Sequence, residues 1–323
     1  MAEQLQFTTF DYNDVRLVPA KCIINSRSEI DTSLHLGKRK FNIPVVPANM
    51  STIIDENLAK WLAKNDYFYI MHRFDIDPIA FTEEFQKSGL YASISIGIKD
   101  ADYDYVDEFV KKNLTPEYIT VDVAHGHSAS VIKMIKYIKK NLPETFLIAG
   151  NVGTGEAAKD LEKAGADAIK VGIGPGSACI TSPNTGFGTR DWQLSAVQDA
   201  FNSVSDAVII ADGGIREYGD IAKSLAFGAT FVMVGGMFGG HDENPGEIVE
   251  NENGEQFKVF FGSASEHQKG EPKHVEGKKM LVPCKGPISE TMRATMEHLQ
   301  SAVSYAGGKE LMDLRDSKYV IVR

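Results

Sequence analysis

Eight short runs of apolar, largely β-branched residues recur along the chain at a nearly constant interval. They begin near Ile43, Tyr67, Ala92, Tyr118, Thr145, Ala168, Ala207 and Phe231, so successive starts lie 24, 25, 26, 27, 23, 39 and 24 residues apart. A strand, a crossover helix and two short loops consume about that many residues. The runs are apolar nearly throughout, so both faces of each strand are expected to be buried, as in a parallel sheet wrapped by helices. The segments between them carry helical signatures. Residues 55–65 set Leu58, Trp61 and Leu62 on one face behind an acidic first turn. Residues 157–165 and 218–228 both end in a glycine followed by alanine, a helix stop before the next strand. The repeat predicts an α/β chain folded as a (β/α)8 TIM barrel, a single domain over residues 1–323; an open doubly wound sheet is the alternative.

Two segments break the rhythm. Residues 174–195 make the long interval, and residues 239–285 follow the last run. Loops after the carboxyl ends of barrel strands build active sites, so these read as an active-site loop and a flap. Charge narrows what such a site can meet. Thirty-four Lys and Arg against 44 Asp and Glu leave a net charge of −10. An acidic surface repels a nucleic-acid backbone and an anionic membrane, so neither is an expected partner. An anionic small molecule would have to be held by backbone N–H groups and helix N-termini. The three cysteines, Cys22, Cys179 and Cys284, are odd in number and have no metal or redox spacing, which fits a reducing compartment. The first ten residues lack a basic start and an apolar run. With no apolar stretch of about 18 residues either, the expectation is a cytoplasmic protein.

The sixth run leads into Gly174-Pro175-Gly176-Ser177-Ala178-Cys179-Ile180-Thr181. A glycine-rich loop of this kind turns carbonyls and N–H groups inward, suiting a monovalent cation or a phosphate. Cys179 would stand at the barrel mouth, where a thiolate can attack an electron-poor carbon. A small buried hydrophobe is the ordinary role of a free cysteine, and Cys22 and Cys284 keep that reading. The seventh and eighth runs end in Asp212-Gly213-Gly214 and Gly235-Gly236, a phosphate-binding device at these strand ends. Asp212 is better suited to ribose hydroxyls. Flavin and sugar-phosphate barrels share the same glycines. Asp122, followed by Val123 and Ala124, ends the fourth run as either an amide acceptor or a helix N-cap. Arg73 ends the second and could meet a phosphate. His125 and His127 lack metal partners at a convincing spacing, so no zinc is expected.

Five motifs together resemble the IMP dehydrogenase/GMP reductase family. They are residues 10–15 (FDYNDV), Ile43-Pro44 with Ala48-Asn49-Met50, residues 172–181 (GIGPGSACIT), residues 211–215 (ADGGI) and residues 244–247 (NPGE). The match spans nearly the whole chain, and the cysteine loop is its specific part. Within the family, the chain resembles the reductase branch. Arg73 runs directly into Phe74-Asp75-Ile76-Asp77-Pro78, which leaves no room for a CBS insertion. No Arg-Tyr pair occurs between Gly262 and Lys285, and Glu276-Gly277-Lys278 stands there instead.

The resemblance implies NADPH-dependent reductive deamination of GMP to IMP and ammonia through a covalent bond between a cysteine and purine C2. It assigns Cys179 as nucleophile, with Thr181 and Glu276 as the proton carriers. Ser177, Asp212, Gly213, Gly214, Gly235, Gly236, Gly262, Ser263 and Ala264 would hold GMP. Ser26, Arg27, Arg73, Asp122, Val123 and Ala124 would meet NADPH, with Ser301 and Ser304 reaching a neighbouring copy in a homotetramer. Gly174, Gly176 and Cys179 would bind potassium through their carbonyls. An IMP dehydrogenase without its regulatory domain, a nucleotide-sensing barrel and a flavin-dependent barrel are the competing readings.

Overall fold

The computed structural model describes residues 7–262, 265 and 276–322. Strand β1 (Val15–Leu17) and the hairpin β2 (Leu34–Leu36) and β3 (Arg39–Phe41) precede β4 (Val45–Pro47). Six further strands then alternate with helices: β5 (Ser93–Ile96), β6 (Tyr118–Asp122), β7 (Phe146–Val152), β8 (Ala168–Val171), β9 (Val208–Asp212) and β10 (Phe231–Val234). With β4 they form one seven-stranded parallel sheet in the order β4-β10-β9-β8-β7-β6-β5. The apolar runs of the sequence become strands because nearly every residue in them is buried. The helices between them start where a side-chain oxygen caps free N–H groups. Asp55 accepts from Leu58 N at 2.8 Å, and Ser128 and Thr154 cap Ala129–Asn141 and Gly155–Ala164 in the same way. Gly165 ends its helix in the left-handed conformation, as the sequence predicts.

The sheet is curled. Tyr118 opens β6 and Phe231 opens β10, four strands away, which is about 19 Å across a flat sheet. Both rings nonetheless meet the same Phe68 ring, at centroid distances of 5.1 and 5.9 Å. Phe41, on the β2–β3 hairpin, touches both as well. Aromatic side chains thus fill the amino-terminal end of the curl, leaving the carboxyl ends of the strands free for the site.

The run at Tyr67 differs from its expected form. Residues 68–71 are fully buried, and Met71 N donates to Ser93 O at 3.1 Å, but no strand ladder is made there. Side chains fasten this segment instead. The Tyr91 hydroxyl donates to Tyr67 O at 2.6 Å and the Tyr69 hydroxyl to Tyr91 O at 2.8 Å, using carbonyls that a ladder would need.

After β10 the chain leaves the helical rhythm. Strands β11 (Ile248–Glu250), β12 (Gln256–Phe261) and β13 (Lys279–Pro283) form an antiparallel sheet within the expected flap. Its base is pinned by Lys258, whose buried ammonium donates to the carbonyls of His241, Asp242 and Asn244 at 2.7, 3.1 and 2.7 Å. Asn244 in turn donates to Ile53 O at 2.7 Å, which explains the asparagine of that motif as a structural fastener. Helix Ile288–Ala306 follows, and β14 (Tyr319–Ile321) returns to pair with β1. No helix among the described residues is long and apolar enough to cross a membrane.

Candidate active site

The loop after β8 is fastened at both ends before it reaches Cys179. Gln193, fully buried, donates to Val171 O at 2.8 Å, and Thr189 N donates to Ile173 O at 2.7 Å. Between these anchors a short helix, Thr181–Thr185, turns the chain. Its first residue brings the Thr181 hydroxyl to 3.1 Å from Cys179 Sγ. The flap closes on the same place. Residues 178–180 and 276–278 pair edge to edge: Ile180 N donates to Glu276 O at 2.9 Å and Lys278 N to Ala178 O at 2.8 Å. This register aims the Glu276 side chain at Thr181, whose hydroxyl donates to Glu276 Oε2 at 2.5 Å. Thiol, hydroxyl and carboxylate therefore form one hydrogen-bonded line from residues 97 positions apart.

Two cavities meet at that line. The first, of about 450 Å³, is lined by residues 175–179, residues 212–216, Gly235, Gly236, Gly262, Glu276 and Lys285 among others. Ser177, Asp212, Gly213, Gly214, Gly235, Gly236 and Gly262, all expected at the substrate, lie on its wall. Ser263 and Ala264 lie outside the described residues. Gly213 and Gly214 take left-handed φ values of 90° and 80°, which turns the loop after β9 back across the cavity floor. The N–H groups of Gly214, Gly235 and Gly236 donate to no described residue, as a phosphate cradle requires. Two cations on the wall, Arg216 and Lys285, were not singled out in the sequence. Lys285 donates to the carbonyls of Gly236 and Met237, and burial pushes its ammonium below the ordinary lysine range.

The second cavity, of about 670 Å³, shares Glu276 with the first and has Thr181 on its own wall. Ala124, His125, Phe187 and Trp192 also line it. Phe187 is 78% exposed, an aromatic face offered to a planar ligand; its place in Gly186-Phe187-Gly188 was the available sequence signal. Of the residues expected at the cofactor, Ala124 is on this wall. Val123 and Asp122 precede it, and Asp122 Oδ2 stands 4.0 Å from Arg73 Nε. The helix that follows is capped by Ser128, so the N-cap alternative for Asp122 is set aside. Ser26, Arg27, Ser301 and Ser304 form a separate group that lines neither cavity, with Ser26 and Arg27 at the surface and Ser304 buried. There Arg27 donates to Ser301 Oγ at 3.0 Å, and Ser304 Oγ lies 3.4 Å from Cys22 Sγ. His127 pairs with Asp160 at 3.1 Å, and no group of metal-ligating side chains occurs among the described residues.

Asp122 and Asp212 share a partner that the sequence reading passed over. Lys170, 1% exposed, donates to Asp122 Oδ1 at 3.1 Å and Asp212 Oδ2 at 3.2 Å. Burial alone would drive its ammonium toward neutrality, but the two carboxylates outweigh burial and hold it above the usual lysine range. Burial likewise raises Asp122, and Lys170 with Arg73 overcomes that and keeps it below the usual carboxylate range. A lone lysine in the buried strand Ala168–Val171 was the signal for this cluster. Removing the ammonium alone would leave two buried carboxylates uncompensated, at a cost of about 3–5 kcal/mol.

Gly172 follows β8 with φ of 150°, and a Cβ there would lie 1.9 Å from the Asp212 carbonyl oxygen. Gly172→Ala is therefore expected to destabilise the fold by about 3 kcal/mol or more. Urea denaturation, followed by circular dichroism, checks this; an unchanged midpoint would contradict the close packing of β8 against β9.

Residues 9–323 match the family model described as the IMP dehydrogenase / GMP reductase domain. The chain belongs to this family. It is 61% identical over 315 residues to the GMP reductase of Ligilactobacillus salivarius (strain UCC118), covering 97% of this chain and 96% of that protein. It is 58% identical, with the same coverage, to the GMP reductase of Staphylococcus aureus (strain bovine RF122 / ET3-1). Family membership accounts for the motifs around Cys179, Asp212 and Asn244.

Proposed function

We propose that this chain is a GMP reductase that converts GMP to IMP and ammonia with NADPH. The observation that carries the reading is the line from Cys179 Sγ through Thr181 Oγ1 to Glu276 Oε2, which runs from the wall of one cavity, at Cys179, to that of the other, at Thr181, with Glu276 on both. One cavity suits a nucleotide monophosphate: Asp212 for ribose, free glycine N–H groups for phosphate, Cys179 at the base. The other suits a nicotinamide cofactor, with Phe187 and Trp192 as flat surfaces.

The chemistry follows from that placement. The Cys179 thiol passes its proton along Thr181 to Glu276 as sulfur bonds to purine C2 and the C2=N3 π pair moves onto N3, from where it returns when the amine leaves. Glu276 returns a proton through Thr181 to the 2-amino group, and the C2–N bond breaks to release ammonia. NADPH, when bound, supplies hydride to C2. The C2–S bond then breaks, its electron pair returns to Cys179, a proton from solvent restores the thiol, and IMP leaves. Closure of the flap on residues 178–180 keeps water from the sulfur-bound purine, which would otherwise be hydrolysed.

Potassium fits the turn before the cysteine. Gly174 and Cys179 carbonyls accept no hydrogen bond from the described residues, and a set of neutral backbone oxygens suits a large monovalent cation. With Gly176 they would hold the ion and fix the turn that presents Cys179. Residues 67–71 complete the barrel as its eighth stave between β4 and β5, in a single domain without a CBS insertion. Ser26 and Arg27 are assigned to the cofactor, with Ser301 and Ser304 reaching a neighbouring copy in a homotetramer. Three free thiols and the acidic surface favour the cytoplasm.

The test mixes purified protein with GMP and NADPH and follows nicotinamide absorbance and ammonia together. Equal loss of NADPH and gain of ammonia is the expected outcome. NAD⁺ reduction driven by IMP, without ammonia release from GMP, would instead make the chain a dehydrogenase.

A further inference from the structure

The line of Cys179, Thr181 and Glu276 leaves one buried cation without a task. Lys170 lies inside the curl of the sheet. It projects from β8 and reaches the last residues of β6 and β9, Asp122 and Asp212. Those two carboxylates lie toward different cavities. Asp212 lines the first, and Asp122 leads two residues later into Ala124 on the wall of the second. Each keeps an oxygen that Lys170 does not occupy. Asp212 Oδ2 takes both Lys170 and Asn151, at 3.2 and 2.7 Å, while its Oδ1 accepts nothing from the described residues. Asp122 Oδ1 takes Lys170, while Oδ2 turns to Arg73.

A charge cluster this deep is not needed to fill space, since apolar side chains of similar volume pack as well or better. Its distinctive property is geometric. One ammonium on β8 fixes two carboxylates at the ends of β6 and β9, three strands apart in the sheet, with Asp212 Oδ1 left for a ligand and Asp122 Oδ2 turned to Arg73. We infer that Lys170 is a positioning residue that sets the substrate-side Asp212 and the cofactor-side Asp122 in one register, so that each ligand's site depends on the other's carboxylate. The inference rests on the reductase reading for the identity of the two ligands.

The experiment measures GMP affinity without NADPH and NADPH affinity without GMP, by calorimetry, in the wild type, Lys170→Met, Asp122→Asn and the double variant. Lys170→Met is expected to weaken both affinities tenfold or more and to lower kcat. Asp122→Asn is expected to weaken GMP binding severalfold although no cofactor is present, and to add nothing to GMP binding once Lys170 is methionine. A purely structural lysine would lower the melting temperature and leave both affinities within twofold, which overturns the inference. If Lys170→Met does not fold, Asp122→Asn decides alone: GMP affinity equal to wild type overturns it. A wild type with no affinity for GMP would overturn the reductase reading, and the inference with it. Normal wild-type binding that these substitutions leave unmoved would sink the inference alone.

Discussion

Cys179→Ala will stop NADPH oxidation in the presence of GMP, lowering turnover by at least about 10⁴-fold, while GMP still binds with nearly unchanged affinity. The size follows from what sulfur does in the proposed reaction. An amine leaves an aromatic carbon only after that carbon has been converted to a tetrahedral centre, and the Cys179 thiol on the first cavity's wall, linked through Thr181 to a carboxylate, is the nucleophile assigned to make it. Affinity survives because the free N–H groups of Gly214, Gly235 and Gly236, together with Asp212, belong to other strand ends. Single-turnover kinetics with ammonia detection gives the first number and calorimetry the second. Residual turnover within tenfold of wild type would remove covalent catalysis from the account. Loss of GMP binding would mean that Cys179 shapes the pocket rather than reacting in it.

Glu276→Gln is expected to slow ammonia release by on the order of 10²–10⁴-fold, the usual worth of a positioned general acid–base. The amide keeps the size of the carboxylate, and the edge-to-edge pairing of residues 178–180 with 276–278 uses only backbone atoms, so the flap stays closed. What the amide loses is the ability to take the proton that Thr181 hands on at 2.5 Å. The reverse hydride step, NADP⁺ reduction by IMP in a single turnover, moves no proton to an amine and is expected to change far less. The ratio of the two rates is therefore the informative quantity. Equal losses in both directions would show that Glu276 serves Cys179 or the loop in both and carries no proton to the amine.

Much of the architecture was legible because each βα unit is specified locally. An apolar run of four to seven residues, a capping side chain and a glycine stop lie within about 25 residues of one another, and six of the seven expected connections into parallel strands can be read from them. The exception, the run at Tyr67, has the same composition as its neighbours. Its Tyr67 carbonyl accepts the Tyr91 hydroxyl while its own Tyr69 hydroxyl donates to Tyr91 O, a competition between partners that no single segment encodes. The flap shows the same limit. Its glycine, lysine and glutamate content marks a loop, whereas the antiparallel sheet β11–β13 exists because Lys258 finds three carbonyls contributed by residues 241–244.

The site divides in a similar way. The sequence by itself determined the chemical inventory: a cysteine in a glycine-rich turn, a threonine two residues on, glycine pairs after two strands, and a glutamate in the flap. Residue identity alone limits what bonds such groups can make. Only the tertiary structure decided that Glu276 meets Thr181 across 95 residues, that Glu276 lines both cavities, and that Lys170 stands between Asp122 and Asp212. The reason is physical: hydrogen bonds and charges act over a few ångströms, and a curled parallel sheet is what brings the ends of distant strands within that range.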